Sequence, residues 1–223
     1  MIDLLTINDP GGGFPKSYYA STVDIGDQSP TLQNNMCCQV CVIGAGFTGV
    51  SAALSLTELG YEVVVLEANR IGFGASGRNG GQVGSGQRWD QEKLEEKFGA
   101  ENALAFWQIA EDAKKEVRNW ISKHKINCDY VSGVVHAAVN RQDLRDSFYQ
   151  VDELRKKYNY KALQKLNAQE VSELLNTNFY KGGYLDLGAG HLNPLKFIMG
   201  LATAAKNLGM KIFERTKVSK IEY

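Results

Sequence analysis

The stretch Val40-Cys-Val-Ile-Gly44-Ala-Gly46-Phe-Thr-Gly49, then a helical run, then Tyr61-Glu-Val-Val-Val-Leu-Glu67, decides the fold. It reads as a strand, a glycine turn, a helix and a second strand that ends in an acid. A dinucleotide needs these parts in this order. Gly44 allows the tight turn leaving the strand, Gly46 lets the backbone approach a pyrophosphate, and Gly49 lets the helix pack closely on the sheet. The helix N-terminus offers N–H groups and a positive dipole end to phosphates. Glu67 follows Gly49 at close to the expected spacing of about 20 residues and can accept hydrogen bonds from ribose hydroxyls. Val40 to Ile43 reads as a fully buried strand. Small residues fill the helix after Gly49, and Gly60 sits where a helix C-cap belongs. A glycine loop in an unrelated α/β domain is the bland alternative, and the context on both sides of the turn argues against it.

The chain has 223 residues, enough for one or two domains. Its 25 basic and 25 acidic residues cancel, which gives no support for nucleic acid or an anionic membrane as a general partner. No apolar run approaches the roughly 20 residues that span a bilayer, and the N-terminus lacks a basic region followed by an apolar core. A cytoplasmic protein is expected. Cys37, Cys38, Cys41 and Cys128 read as small, buried, reduced thiols. Cys-Cys-x-x-Cys lacks a second cysteine or histidine pair, and His124, His136 and His191 lie at non-ligand spacings, so no metal site is expected.

Four regions follow. Residues 1–35, rich in Gly, Pro, Ser, Asn and Asp, read as an irregular arm anchored by Tyr18 and Tyr19. Residues 36–89 hold the βαβ unit and a loop with five glycines between positions 71 and 81. Such a loop permits positive φ and close backbone approach to a ligand. Arg78 and Asn79 within it supply donors suited to phosphate or a polar ring edge. Residues 90–187 read as an α+β insertion. It opens with helix over 90–125, broken at Gly99, and places Ala103, Phe106, Trp107, Ala110, Ala113, Val117, Trp120 and Ile121 on one stripe. It continues with a strand over 133–139 in which His136 is structural. A helix over 141–158 has Leu144, Phe148, Val151 and Leu154 inward. A capping box at Asn167 and Glu170 opens a short helix, and a strand spans 182–187. Residues 188–223 return to the parallel sheet. Asn193-Pro194 opens a helix that Gly209 ends, a strand spans 210–213, and another spans 217–223. That last strand would leave an open sheet edge, which suggests a fragment, self-association or a separate C-terminal half.

Val42-Ile-Gly-Ala-Gly-Phe-Thr-Gly49, with Leu66-Glu-Ala-Asn-Arg-Ile-Gly-Phe-Gly-Ala-Ser-Gly-Arg-Asn-Gly-Gly-Gln82, resembles the FAD-dependent amine and amino-acid oxidase superfamily. The Gly74-to-Gln82 segment is most similar to the gamma-glutamylputrescine oxidoreductase branch. Ser17-Tyr-Tyr-Ala20 and Gly188-Ala-Gly-His-Leu-Asn-Pro194 are similar to that branch too. The resemblance implies an α/β fold: a Rossmann-like FAD-binding domain with an inserted α+β substrate-domain portion, truncated relative to a family roughly twice as long. It implies FAD as cofactor and a small-molecule amine as substrate. The implied reaction is hydride transfer to flavin, hydrolysis of the imine and reoxidation by oxygen. By the same resemblance Gly44, Gly46, Phe47, Thr48 and Gly49 form the dinucleotide turn. Glu67 binds the adenosine ribose, with Ala68 and Arg70 beside it. Gly74, Ala75, Ser76, Gly77, Arg78, Asn79, Gly80, Gly81 and Gln82 follow the pyrophosphate toward the flavin, and Val218 contacts the adenine. The resemblance names no catalytic residue; Arg78 and His191 stand as substrate neighbours, cofactor contacts or structural residues. Two other readings share the fingerprint: a non-catalytic nucleotide-binding remnant, and an NAD-dependent dehydrogenase. Glu67 disfavours NADP, whose 2′-phosphate its charge would repel.

Overall fold

The computed structural model describes residues 13–222. Packing divides the chain into two compact units. The first holds the chain up to Gly81, Trp120–Asp129 and the chain from Asn193 onward; the second holds Gln82–Asn119 and Tyr130–Leu192.

The first unit is built on a parallel sheet. Strand β1 (Val40–Ile43) pairs with β2 (Val63–Leu66), and β2 with β7 (Lys211–Phe213), in the order β1-β2-β7. Helix α2 (Phe47–Glu58) connects β1 to β2, and α7 (Pro194–Asn207) leads into β7. The two helices pack on each other, with the Phe47 and Phe197 rings 5.7 Å apart. Val63, Val64 and Val65 on β2 and Leu195, Ile198 and Leu201 on α7 are buried. Each such side chain contributes about 1.5–3 kcal/mol of burial. Asn193 caps α7 through its side chain, with Pro194 at the first helical position, and Gly209 ends the helix at φ +104°.

The second unit is built on an antiparallel sheet. Its spine is β6 (Gly182–His191), which pairs with β4 (Val131–Ala137) along one edge. Strands β5 (Leu163–Asn167) and β3 (Gln82–Val83) pair with its two ends. Gly133, at φ +94°, sits in a register shift of β4 between Ser132 and Val134. Helices α3 (Gln91–Phe98) and α4 (Ala100–Lys123) are separated at Gly99, φ +82°. Helix α5 (Arg141–Tyr158) and α6 (Ala168–Leu175) complete the unit, and α6 carries the expected capping box. Trp107, Val151, Tyr160, Leu163 and Tyr184 form its core. A side chain at Gly188 would put its Cβ 2.2 Å from the Tyr160 hydroxyl, so only glycine seats that tyrosine there.

Several expectations need correction. Strand β1 is not fully buried: it lies at the sheet edge, and Cys41 and Ile43 face solvent. Only Cys128 of the four thiols is buried, and Cys37 and Cys41 are exposed. No strand forms over 217–222; after β7 the chain leaves the sheet at Glu214. Gly188 to His191 extend β6, so the second sheet claims the start of the segment expected to return to the first. Residues 120–129, expected in the insertion, pack in the first unit. Gly200 accounts for this, because a Cβ there would meet Ile126 at 2.2 Å, and the Asn193 N–H donates to Cys128 O at 2.8 Å.

Among its described residues the arm holds one helical turn, α1 (Tyr18–Ser21), with Tyr18 turned to solvent. Tyr19 is half-buried, and α1 packs against α7; Ser29 and Leu32 also anchor the arm, through backbone N–H bonds to Glu214 and Thr216. On α4 the buried stripe runs Ala103, Trp107, Ala110 and then Lys114, while Ala113 is exposed. The Lys114 ammonium is satisfied by Ser85 Oγ at 2.5 Å, Tyr160 Oη at 3.0 Å and Glu111 Oε1 at 2.8 Å.

Candidate dinucleotide site

Gly44 takes φ +98° directly after β1, and its N–H donates to Leu66 O at 2.8 Å. The turn is thereby tied to the end of β2. Gly46 caps α2 in extended backbone and supplies no side-chain cap. A Cβ on Gly49 would lie 2.0 Å from Gly44 O, so the first turn of α2 closes on the glycine turn only because Gly49 has no side chain. Glu67 follows β2 and reaches back across the turn. Its Oε2 accepts from the Ala45 N–H and its Oε1 from the Asn69 N–H, each at 2.7 Å. The carboxylate thus joins the glycine turn to the loop after β2.

That loop folds onto the start of α2. Ser76 Oγ accepts from the Phe47 N–H at 2.9 Å, occupying a first-turn donor of the helix. A Cβ on Gly46 would approach the same oxygen at 3.0 Å. Gly72, at φ +69°, donates to Ala45 O at 2.9 Å. A hydroxyl held on the Phe47 N–H shows that the helix terminus receives a polar oxygen.

Gly44, Gly46, Phe47, Gly49, Glu67 and Ser76 are therefore brought together. Thr48 is exposed on the first turn of α2, and Ala68 is half-buried beside Glu67. Gly74, Ala75, Asn79 and Gly80 are exposed around a short 3-10 turn, Ala75–Gly77. Arg78 donates from Nε to Phe73 O at 2.8 Å, with its guanidinium 4.7 Å from the Phe73 ring centre. Asn79 spends its amide on the loop itself, donating to Ala75 O and Ser76 O and accepting from the Gly81 N–H. Gln82 begins β3 and pairs with His191 in the antiparallel sheet. Val218 is half-buried in the stretch without strand structure.

Glu214 was not legible in the sequence as part of this site. It is 1% exposed. Its Oε1 accepts from Arg70 Nε at 3.0 Å and from the Ile71 N–H at 2.7 Å, and its Oε2 accepts from the Ser29 N–H at 2.6 Å. One carboxylate therefore fastens the glycine-rich loop and the N-terminal arm to the end of β7. Arg70 serves this clasp. The only sequence signal was an acid directly after an apolar strand, which repeats the position of Glu67 after β2.

Elsewhere, burial and then the Asp186 charge set the two signs acting on His136. Burial wins and holds it below its ordinary value. The Lys123 hydrogen bond leads in holding Glu58 below the usual carboxylate range, with His124 adding to it.

The family described as FAD dependent oxidoreductase matches residues 39–223. Gamma-glutamylputrescine oxidoreductase of Escherichia coli (strain K12) is 36% identical over 93% of this chain and 48% of its own length. A probable oxidoreductase, OrdL, of Haemophilus influenzae is 36% identical over 91% of this chain and 47% of its own. The chain spans about half the length of the curated relatives it matches. Among solved structures, L-amino acid deaminase from Proteus myxofaciens matches 85% of the chain and 40% of its own, with TM-score 0.68 and 20% identity. Glycine oxidase from Bacillus cereus matches 84% and 50%, with TM-score 0.65 and 21% identity. Those two likenesses concern the fold. A βαβ turn with this geometry, matched along 39–223, places the chain in the family of FAD-dependent oxidoreductases.

Proposed function

We propose that the first unit cradles the ADP portion of FAD, and that the protein oxidises a primary or secondary amine of the gamma-glutamylputrescine kind. The observation that carries the reading is the Glu67 carboxylate pinned at the glycine turn by the Ala45 and Asn69 N–H groups. Each oxygen uses one lone pair on those bonds and keeps another for a ribose hydroxyl. Gly46 and Gly49 leave no side chain over the turn, and Ser76 yields the Phe47 N–H to a phosphate oxygen. Glu214 holds the loop from Ile71 in place beside it. These residues fit the group.

Bound FAD supplies acceptance of a hydride from the carbon bearing the amine. This chain's own residues position the cofactor and exclude side chains from its phosphates. The relative from Escherichia coli supports the amine, by its name and by 36% identity. A cytoplasmic setting belongs to the same reading, and cell fractionation tests it.

The test is amine-dependent peroxide release by FAD-loaded protein, with gamma-glutamylputrescine, putrescine and glycine compared. Peroxide from the glutamylated diamine above the others supports the reading. Retained FAD with no peroxide from any amine would leave a nucleotide-binding module. A requirement for a nicotinamide would replace the reading with a dehydrogenase.

A further inference from the structure

The second unit contains a cleft of about 250 Å³ on the helix-covered side of its sheet. Trp107, Tyr184 and His136 supply aromatic walls, with Trp89 and Asp90 contributing from the segment ahead of α3. Asp186 reaches the cleft from β6 and is itself 6% exposed. Its three hydrogen bonds all fall on Oδ1: Tyr160 Oη at 2.6 Å, the Gly188 N–H at 2.9 Å and the Ala189 N–H at 3.2 Å. Oδ2 accepts nothing from the described residues.

A buried carboxylate is costly unless its oxygens are satisfied and its charge is balanced. The buried cation nearest in this network is Lys114, and it reaches Asp186 only through Tyr160. The Lys114 charge is already matched by Glu111 at 2.8 Å. Asp186 therefore leaves negative charge at a cleft with aromatic walls, whereas Asp90 is paired with Lys93 at 3.7 Å. Burial first, and then the Asp186 and Asp90 charges, push the Tyr184 hydroxyl up to about 12. An open carboxylate oxygen beside aromatic faces is the chemistry that receives an organic ammonium, by a charge-assisted hydrogen bond and cation–π contact. The volume lies just under the range of about 300–1,000 Å³ typical of drug-sized ligands, which selects a compact guest.

We propose that this cleft is a binding site for a compact primary alkylammonium, seated on Asp186 Oδ2 against Tyr184 and Trp107. The site lies wholly within the antiparallel-sheet unit and does not depend on the flavin reading. It would hold an organic ammonium independently of the dinucleotide turn.

The probe is n-butylammonium chloride, titrated into the full chain without added FAD. Tryptophan fluorescence and backbone amide NMR are the readouts, and n-butanol is the neutral isostere. Saturable binding of the ammonium is expected, with shifts at the Gly188 and Ala189 amides and none from butanol. Asp186→Asn keeps an oxygen at the Oδ1 position and should weaken the ammonium by about tenfold or more. Equal shifts from butanol, or no saturable binding by the wild-type chain, would overturn the proposal. So would unchanged binding by a folded Asp186→Asn protein. Because the isostere comparison uses the wild-type chain, it decides the matter even if the variant fails to fold.

Discussion

Among the described residues, Glu214 in the first unit and Asp186 in the second are the buried carboxylates, at 1% and 6% exposure. Glu214 has both oxygens engaged and faces an arginine directly. Asp186 has one oxygen engaged three times and the other unengaged. The first is a closed clasp, and removing it strands donors on two segments, the glycine-rich loop and the N-terminal arm. The second is held just as firmly by one side and remains chemically available on the other. Burial alone does not distinguish a structural acid from a binding one; the allocation of lone pairs does.

That contrast predicts unequal losses. Glu214→Ala would leave the Arg70 guanidinium and the Ser29 and Ile71 N–H groups without their acceptor. The expected destabilisation is about 3–5 kcal/mol by urea denaturation, with weaker FAD retention in the surviving fold. A loss no greater than that of a surface substitution would break the clasp. Leu201→Ala, at a fully buried position of α7, should cost about 2–5 kcal/mol with no special effect on ligand binding beyond stability. Asp186→Asn should cost less than either, about 1 kcal/mol, because its Oδ1 acceptor position survives. A larger loss would mean that Oδ2 has a structural partner.

The Asn167 cap of α6 lies remote from both carboxylates in sequence and serves as a baseline. Asn167→Ala should cost about 1 kcal/mol in the same denaturation assay.

The smallest effect is in pH. The folded pKa of His136 lies below its unfolded value of 6.5, chiefly through burial. Its neutral form is favoured in the fold, so the stability it contributes is present above pH 6.5 and is lost as pH falls through and below that value. His136→Gln should flatten the decline in melting temperature between about pH 7 and 5. An unchanged slope would assign the decline to other groups.

The glycine turn was legible because its physics is local. Gly44, Gly46, Gly49 and Glu67 answer to one short stretch of chain, and the structure brings them together. Helix boundaries at Gly99, Asn167, Asn193 and Gly209 were legible for the same reason, since caps and positive φ are written in single residues. Contacts between distant segments were not. Glu214 binds Ser29 and Ile71 across the sequence, and nothing in Phe213-Glu214-Arg215 announces either partner. Lys114 entered an apolar stripe because Ser85, Tyr160 and Glu111 meet it there. Strand β5, Leu163-Gln-Lys-Leu-Asn167, has weak alternation and becomes a strand by pairing with β6. The expected strand over 217–223 failed over its described residues, although Val218-Ser-Lys-Ile alternates: among the described residues this stretch pairs with no strand, even though β7 ends the sheet. Its last residue lies outside the described residues.

The central claim is that the turn from Gly44 to Glu67 holds FAD. The most direct measurement is the visible absorption spectrum of the purified chain after incubation with FAD and gel filtration, run beside Glu67→Ala. The account predicts a flavin spectrum that travels with the wild-type protein and is diminished in the variant. A wild-type protein that elutes folded and colourless would contradict it.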